Sequence, residues 1–173
     1  RKPIAETLRE KALKAIAQDR YNAEAWQALI EEVSGWPIER ARATYEMFLE
    51  VFPTSYLEWK IYVSKEMAAK NFVRAEELFQ RCLLKCPRVE LWRLYISYME
   101  TVKKGADDEL ESMEKAFEFV LLHMGIDFAS GTLWQAYVSF LKGVPTADAF
   151  EEGQKVQKVR RVFQRAIVLP NNS

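Results

Sequence analysis

Four tryptophans recur along this chain at nearly regular intervals, and their spacing constrains the fold more than any other feature. Each opens a segment with further apolar residues three, four and about seven positions on, which is the pattern of one helix face. The tryptophans are Trp26, Trp59, Trp92 and Trp134, separated by 33, 33 and 42 residues. Self-similarity at such a period is typical of stacked helix pairs.

A second helical pattern follows each tryptophan segment and carries an aromatic residue near its middle. The clearest copies are RAEELFQRCLLKCP, which ends at Pro87, and VRRVFQRAIVLP, which ends at Pro170. Together with Pro53, these prolines end second helices, because proline cannot donate to the preceding turn and clashes with it. The aligned aromatic residues are Tyr45, Phe79, Phe117 and Phe163. We expect them and the four tryptophans to be the structural anchors of the repeats.

These two patterns predict an all-α fold, an α-solenoid of antiparallel helix pairs with about nine helices. One leading helix lies within residues 1–20. Four repeats follow at about 21–53, 54–87, 88–127 and 128–173 and form one solenoid domain. Stacking is required because a single helix pair cannot bury its apolar face alone. The opening Arg1-Lys2-Pro3, which has no Met, indicates a fragment of a longer protein.

The composition supports this fold and excludes several other classes. The chain has 173 residues and contains only 6 Gly and 6 Pro, which favours long helices over a turn-rich β-sandwich. Its 25 basic and 25 acidic residues cancel, so any interaction with nucleic acid must depend on a local patch. No apolar run approaches the roughly 18 residues of a membrane-spanning helix. We therefore expect no membrane association.

The sequence offers no set of residues suited to catalysis. It has no phosphate-binding loop, no dinucleotide-binding motif and no nucleophile elbow. The single histidine, His123, has no partner histidine with which to build a metal site, and we expect it near a helix end. Cys82 and Cys86 lie four residues apart on one helix and are expected to be reduced thiols near a core face. We therefore expect no catalytic residue, no cofactor and no metal.

One local patch of positive charge stands out near the end of the chain. Its residues have no acidic residue among them, and three of them, at positions 158, 161 and 165, share a helix face. They are a candidate contact for RNA phosphate or for an acidic partner surface. The alternative, favoured because the chain is neutral, is a solvated face balanced by acids on adjacent helices. The patch comprises Lys155, Lys158, Arg160, Arg161 and Arg165.

The aromatic residues allow two interpretations. They could stack bases of a single-stranded nucleic acid, as aromatic side chains do in several RNA-binding modules. Their helical spacing on an apolar face favours the core instead. Trp36 is a separate case, because it lies between Ser34-Gly35 and Pro37 in a connector between helices. We favour a partly exposed plug under the turn over a partner contact.

The repeat pattern resembles the HAT repeat, a relative of the tetratricopeptide repeat. WKIYVSKE, which begins at Trp59, and RAEELFQRCL, which begins at Arg74, carry its signature most clearly. From about Tyr21 to the end, the chain resembles the amino-terminal HAT domain of the suppressor-of-forked family, the large HAT subunits of cleavage stimulation factor. This closer resemblance depends mainly on the run from Phe72 to Glu100 and on FLKG after the fourth tryptophan.

The resemblance implies a nuclear, non-enzymatic scaffold for pre-mRNA 3′-end cleavage and polyadenylation. Family members link the other cleavage-stimulation subunits to the specificity factor that reads the polyadenylation signal. They also dimerise through a second HAT domain, which this chain lacks. Direct RNA contact is less favoured than protein binding. The alternatives are a HAT scaffold of another RNA-processing complex, in splicing or ribosome assembly, and a peptide-binding module like the tetratricopeptide domains.

The repeats differ from one another at polar positions. Glu66, seven residues after Trp59, has apolar counterparts in the other three repeats, and Phe119 occupies the position of Arg81 and Arg165. We expect Glu66 to pair with an arginine of a neighbouring second helix, Arg74 or Arg81 being nearest in sequence. Polar ties between helices are therefore not expected to be uniform along the chain.

Overall fold

The computed structural model describes residues 4–124 and 130–168, with side chains from residue 8 onward. Within those ranges it contains nine α-helices and no strand, so the all-α helical repeat prediction is confirmed. The helices are α1 (Ile4–Gln18), α2 (Ala23–Ser34), α3 (Ile38–Val51), α4 (Tyr56–Ala68), α5 (Phe72–Cys82), α6 (Val89–Lys103), α7 (Glu109–Met124), α8 (Gly131–Lys142) and α9 (Ala149–Val168).

The chain divides into two compact units, one extending to Cys86 and the other starting at Pro87. In the first unit each of helices α1 to α4 packs on the helix that follows it, and in the second unit each of α6 to α8 does the same. Within each unit, helices that follow one another along the chain pack together and run antiparallel. The leading helix is α1, and the helix pairs are α2/α3, α4/α5, α6/α7 and α8/α9.

The start of a repeat is fixed by a bond between the tryptophan and the preceding connector. The Nε1 atom of Trp26 donates to the carbonyl of Arg20 at 2.9 Å, and that of Trp59 donates to the carbonyl of Pro53 at 2.8 Å. In both repeats the acceptor lies six residues before the ring. Trp92 differs, because its buried Nε1 has no hydrogen-bond partner among the residues that the structure describes.

Seven of the eight aromatic anchors lie in the core. The four repeated tryptophans are at most 2% exposed, and Tyr45, Phe79 and Phe117 are at most 1% exposed. The ring of Tyr45 stacks on that of Tyr62 at 5.4 Å, and Phe117 stacks on Tyr137 at 4.9 Å. In both cases the second helix of one repeat is therefore covered by the first helix of the next.

Phe163 is the exception to the predicted set of anchors. Its side chain is 55% exposed, and Val162 is the buried residue of α9. The expectation that Phe163 anchors the core is therefore wrong for this structure. The physical reason is that Tyr45 and Phe117 are covered by a following helix, whereas no helix after α9 lies within the described residues.

The predicted proline stops are only partly matched by the helix ends. α3 ends at Val51, just before Pro53, as expected. α5 ends at Cys82, whereas the sequence pattern extends to Pro87; the intervening segment forms turns in which the Cys86 N–H donates to the Cys82 carbonyl. Proline disfavours the helical conformation of the residue before it, which concerns Cys86 and does not explain the helix end at Cys82. Pro170 lies outside the described residues.

Candidate functional site

The basic patch lies along α9, where the structure gives its five side chains different surroundings. Lys155 turns back toward the end of α8. Its Nζ atom donates to the carbonyls of Lys142 at 3.3 Å and Val144 at 3.2 Å, and it pairs with Glu152 at 3.1 Å. A cation at this position satisfies free carbonyls at the carboxyl end of a helix. Lys155 therefore has a structural role and is not a free phosphate ligand.

Lys158 and Arg165 are paired with carboxylates of α7. Lys158 Nζ lies 2.7 Å from Glu114, and Arg165 makes two bonds to Glu118, at 2.8 and 3.0 Å. The hydrogen bonds from Arg165 lower the pKa of Glu118, although its partial burial opposes this. The two cations are thus balanced by acids on an adjacent helix, as the favoured interpretation of the patch predicts.

Arg160 and Arg161 are the two patch residues that remain exposed without an ion pair among the described residues. Arg161 borders a groove of about 520 Å³ that is also lined by Lys155, Lys158, Glu114 and Glu151. Three cations and two carboxylates thus share the groove, and Lys155 and Lys158 are ion-paired. The groove therefore lacks the concentrated positive potential that attracts a phosphate backbone.

A second set of polar residues connects successive repeats, and we call it a polar lock. In the first unit, Arg81 of α5 makes two bonds to Glu46 of α3, at 2.9 and 2.8 Å. The hydroxyl of Tyr62 of α4 donates to the same carboxylate at 2.9 Å. The guanidinium of Arg81 also lies 5.1 Å from the ring centroid of Trp59. One carboxylate thus joins three helices.

The second unit contains a polar lock with the same chemistry. Arg165 of α9 binds Glu118 of α7 as described above, and the hydroxyl of Tyr137 of α8 donates to that carboxylate at 3.1 Å. The guanidinium lies 5.4 Å from the ring centroid of Trp134. Burial and the neighbouring carboxylate together raise the pKa of Tyr137, so its hydroxyl stays protonated and donates. Arg165 is therefore part of the repeat architecture.

Glu66 is a fully buried carboxylate in the first unit. Its partner is Arg42 of α3, with two bonds at 2.7 and 3.1 Å, and Asn71 donates to it at 2.7 Å. Burial raises the pKa of Glu66, but the hydrogen bonds from Arg42 and Asn71 outweigh this effect and the net pKa is lowered. The expectation of an arginine on a neighbouring second helix is correct.

The choice of Arg74 or Arg81 as that arginine is wrong. α4 packs against α3 as well as α5, and the Glu66 side chain meets the guanidinium of Arg42 on α3. Arg81 is committed to Glu46. Arg74 acts on Glu66 only through its charge, which lowers the pKa of the carboxyl.

Trp36 lies half-buried in the connector between α2 and α3. The guanidinium of Arg40 lies 4.5 Å from its ring centroid, and that of Arg9 of α1 lies 5.2 Å from it. Lys65 of α4 donates to the carbonyls of Ser34 and Trp36 at 2.6 and 3.3 Å. These contacts favour a structural role for Trp36 as a plug under the turn, because cations of three helices contact the connector.

The remaining candidates have no reactive surroundings. His123 is exposed in the last turn of α7, where Nδ1 contacts the carbonyl of Phe119 at 2.8 Å and the ring stacks on Trp92 at 5.4 Å. Cys82 and Cys86 are buried free thiols, and burial raises the pKa of Cys82 to about 12. A thiol with such a pKa is not a nucleophile at neutral pH.

Within the described residues there is no group of three metal-ligating side chains, and no helix is both long and apolar enough to cross a membrane. What each unit offers is a largely polar helical surface that is held in place by buried rings and a polar lock. The locks were missed by the sequence analysis. Their signal was available, because Glu46 and Glu118 each follow an aromatic anchor directly.

Comparison with known proteins finds one family and several relatives that match most of this chain. The family described as "Suppressor of forked protein" matches residues 8–173. "Protein suppressor of forked" of Drosophila melanogaster is 41% identical over 150 residues, which cover 87% of this chain and 20% of that protein. "Cleavage stimulation factor subunit 77" of Arabidopsis thaliana is 40% identical over 156 residues, covering 89% of this chain and 21% of that protein.

A fungal relative has a similar degree of identity. "mRNA 3′-end-processing protein rna14" of Schizosaccharomyces pombe is 38% identical over 157 residues, covering 90% of this chain and 21% of that protein. The chain spans about a fifth of the length of these curated relatives. A match of this extent identifies a family, so the chain belongs to the suppressor of forked family.

Proposed function

We propose that this chain is part of a non-enzymatic protein–protein interaction scaffold in pre-mRNA 3′-end cleavage and polyadenylation. It contributes to the connection between cleavage stimulation factor subunits and the polyadenylation specificity factor, and it acts in the nucleus. The observation that carries the proposal is the match over residues 8–173 to a family whose relatives are named for cleavage stimulation and mRNA 3′-end processing.

The geometry supports a scaffold over an enzyme. Stacked helix pairs present long surfaces that bind partners by shape over a wide area. The fully buried carboxylate of Glu66 is engaged in structural bonds with Arg42 and Asn71. Since Lys158 and Arg165 are also ion-paired, protein partners are favoured over RNA.

The proposal is tested by affinity purification from nuclear extract with the tagged chain as bait. We expect quantitative mass spectrometry to recover cleavage and polyadenylation subunits above the level obtained with a denatured bait. A matched variant, Arg160→Glu with Arg161→Glu, tests whether the unpaired cations contribute, and pretreatment with ribonuclease separates direct protein contacts from RNA bridging. Recovery of splicing or ribosome-assembly subunits without polyadenylation factors would contradict the proposal.

A further inference from the structure

The groove beside Arg161, which we call the Arg161 groove, lies within the second compact unit. Residues of α7 and α9 line it, and the connector between α8 and α9 contributes Val144, Pro145 and Thr146. Because every residue that lines the groove belongs to the same unit, that unit forms the groove alone.

The connector that borders the Arg161 groove is held in place by the first turns of α9. The Nζ atom of Lys155 donates to the carbonyl of Val144 at 3.2 Å. The Ala147 N–H donates to the carboxylate of Glu151 at 2.7 Å. The wall of the groove is therefore pre-organised, which lowers the entropic cost of binding a ligand.

Three polar side chains of α9 line the Arg161 groove without a partner among the described residues. They are Gln154, Gln157 and Arg161, and all three are exposed. Their positions i, i+3 and i+7 place them on one face of the helix. By contrast, Lys158 and Glu114 of the same groove are paired with each other at 2.7 Å. The groove thus offers two free side-chain amides and one free guanidinium in a row.

Apolar side chains line the Arg161 groove beside these polar groups. Leu110 of α7 is 44% exposed, Pro145 is exposed and Val144 is half-buried. The same three residues also line a second groove of about 710 Å³, whose lining includes the carboxylates of Asp107 and Glu109. The two grooves therefore share an apolar wall, with a free guanidinium on one side of it and carboxylates on the other.

These groups match the chemistry of an extended peptide. A side-chain amide both donates and accepts hydrogen bonds, so Gln154 and Gln157 can bond a backbone whose N–H and C=O groups are free. A helical ligand does not offer those groups, because its backbone bonds are internal. Arg161 suits a carboxylate, to which a guanidinium makes two parallel bonds. From Gln154 to Arg161 the helix rises by about 10 Å, which is the length of about three extended residues.

We propose that the two grooves form a docking site for an extended peptide segment of a partner protein. The segment places an acidic side chain on Arg161, an apolar side chain on the shared wall and a basic side chain toward the carboxylates of the second groove. This inference rests on the proposed scaffold function and adds the chemistry of one partner segment. RNA fits less well, because Lys158 is paired and the Arg161 groove contains Glu114 and Glu151.

The test begins with selection of peptides from a random decapeptide library displayed on phage, with the whole chain as bait. We expect the selected sequences to carry Asp or Glu within about three positions of an apolar residue. Fluorescence anisotropy with the strongest selected peptide, labelled with fluorescein, then compares variants. Arg161→Glu should weaken binding about tenfold or more, because it replaces attraction of the peptide carboxylate by repulsion. Gln154→Ala with Gln157→Ala should weaken binding several-fold, because it removes the bonds to the peptide backbone.

Arg160→Glu is the matched control, since it makes the same charge change one residue away, at a side chain that does not line either groove. Its affinity for the peptide should stay within about twofold of that of the unmodified chain. Arg161→Gln removes the charge without reversing it and should weaken binding by a smaller factor than Arg161→Glu. Circular dichroism checks that each variant is folded.

Three results would overturn the docking site: no acidic residue in the selected peptides, equal binding by the Arg160→Glu and Arg161→Glu chains, or binding of a uridine oligonucleotide in place of any peptide. The purification from nuclear extract separates this inference from the proposed function. Recovery of polyadenylation subunits together with failed peptide selection would overturn the docking site alone. Recovery of splicing subunits, with acidic peptides still selected and lost in Arg161→Glu, would contradict the proposed function and support the docking site.

Discussion

At the scale of single residues, the consequences of burial differ sharply among the polar groups. Glu66 is fully buried and has three hydrogen bonds from two side chains. The hydroxyl of Tyr45, equally buried, has no hydrogen-bond partner among the described residues. An unsatisfied buried group costs free energy, whereas a satisfied one becomes costly only when its partner is removed. Removing the partner of Glu66 should therefore lower the stability of the fold, whereas removing the Tyr45 hydroxyl should not.

Replacing Arg42 by Met should be strongly destabilising. The substitution leaves the Glu66 carboxylate buried without its main partner, and breaking a buried ion pair in this way typically costs about 3 kcal/mol or more. Denaturant unfolding measures the change in the free energy of unfolding. Lys115→Met, at an exposed pair, is the control and should leave the unfolding free energy unchanged. A loss below about 1 kcal/mol for Arg42→Met would show that the pair is not essential.

Replacing Tyr45 by Phe should be neutral or stabilising, by up to about 1 kcal/mol, because it removes an unsatisfied hydroxyl and keeps the ring. The second and third repeats carry phenylalanine at the same position. The matched variant Tyr62→Phe, which removes a hydroxyl bonded to Glu46, should instead destabilise by about 1 kcal/mol. Thermal or denaturant unfolding of both variants gives the comparison. Destabilisation by Tyr45→Phe equal to that by Tyr62→Phe would contradict this account.

Stability should fall on acidification because the three carboxylates that join neighbouring repeats, Glu46, Glu66 and Glu118, have lowered pKa values in the folded state. Hydrogen bonds from arginine lower the pKa of Glu46 and Glu118. Burial raises the pKa of Glu66, but its hydrogen bonds lower that pKa by more, so the net pKa is lowered as well. A group with a lowered folded pKa contributes stability that is full above its unfolded value, about 4.3 for Glu, and is lost as the pH falls through the folded pKa.

Unfolding measured between about pH 6 and pH 3 tests this dependence. The double variant Glu46→Gln with Glu118→Gln should lose less stability over that interval than the unmodified chain, since it has fewer groups to protonate. An unchanged slope in the variant would show that these carboxylates do not contribute to the acid sensitivity.

At the scale of helices, two of the segments that follow a helix contain a residue in the left-handed backbone conformation, and only one of these residues is a glycine. After α4, Lys70 adopts a left-handed conformation with φ of 59°, while the Asn71 N–H donates to the Glu66 carbonyl. Residues with a Cβ atom are strained at such a φ. Gly105, with φ of 76°, occupies the same region without that cost.

Lys70→Gly should therefore stabilise the chain by about 0.5–1 kcal/mol, because relief of strain exceeds the added flexibility of the unfolded chain. Gly105→Ala should destabilise it by about 1 kcal/mol. Gly35→Ala is the control, since its φ is −86° and no atom lies within 4 Å of the added carbon. Melting temperatures of the three variants rank these effects. A lower melting temperature for Lys70→Gly would contradict the strain argument.

The helices were predictable from sequence because the tryptophan spacing and the periodic apolar residues indicate which face of each helix is buried. Burial of the Trp59 ring follows from its helical period alone. The partner of Glu66 did not follow, because sequence distance favoured Arg74 and only packing of α4 on α3 brings Arg42 to it. The prediction that Phe163 lies in the core was wrong for a related reason, since its exposure depends on whether another helix covers it.

At the scale of the whole molecule, the repeated units account for both the fold and the proposed role. Each compact unit contains two pairs of helices, and ion pairs join the repeats within it. Three of the five cations of the basic patch are ion-paired, and Arg160 and Arg161 have no ion pair among the described residues. A surface organised like this suits protein partners that bind over a large area, as expected of a scaffold in the suppressor of forked family.

The most direct test of this account is chemical cross-linking of an assembled 3′-end processing complex that contains this chain within its longer protein. We expect cross-links from exposed lysines of residues 4–168 to protein subunits of the cleavage and polyadenylation machinery. Ultraviolet cross-linking in the same sample should give few adducts to RNA in this region. A region cross-linked to RNA through Arg160 and Arg161, with no cross-links to partner proteins, would contradict it.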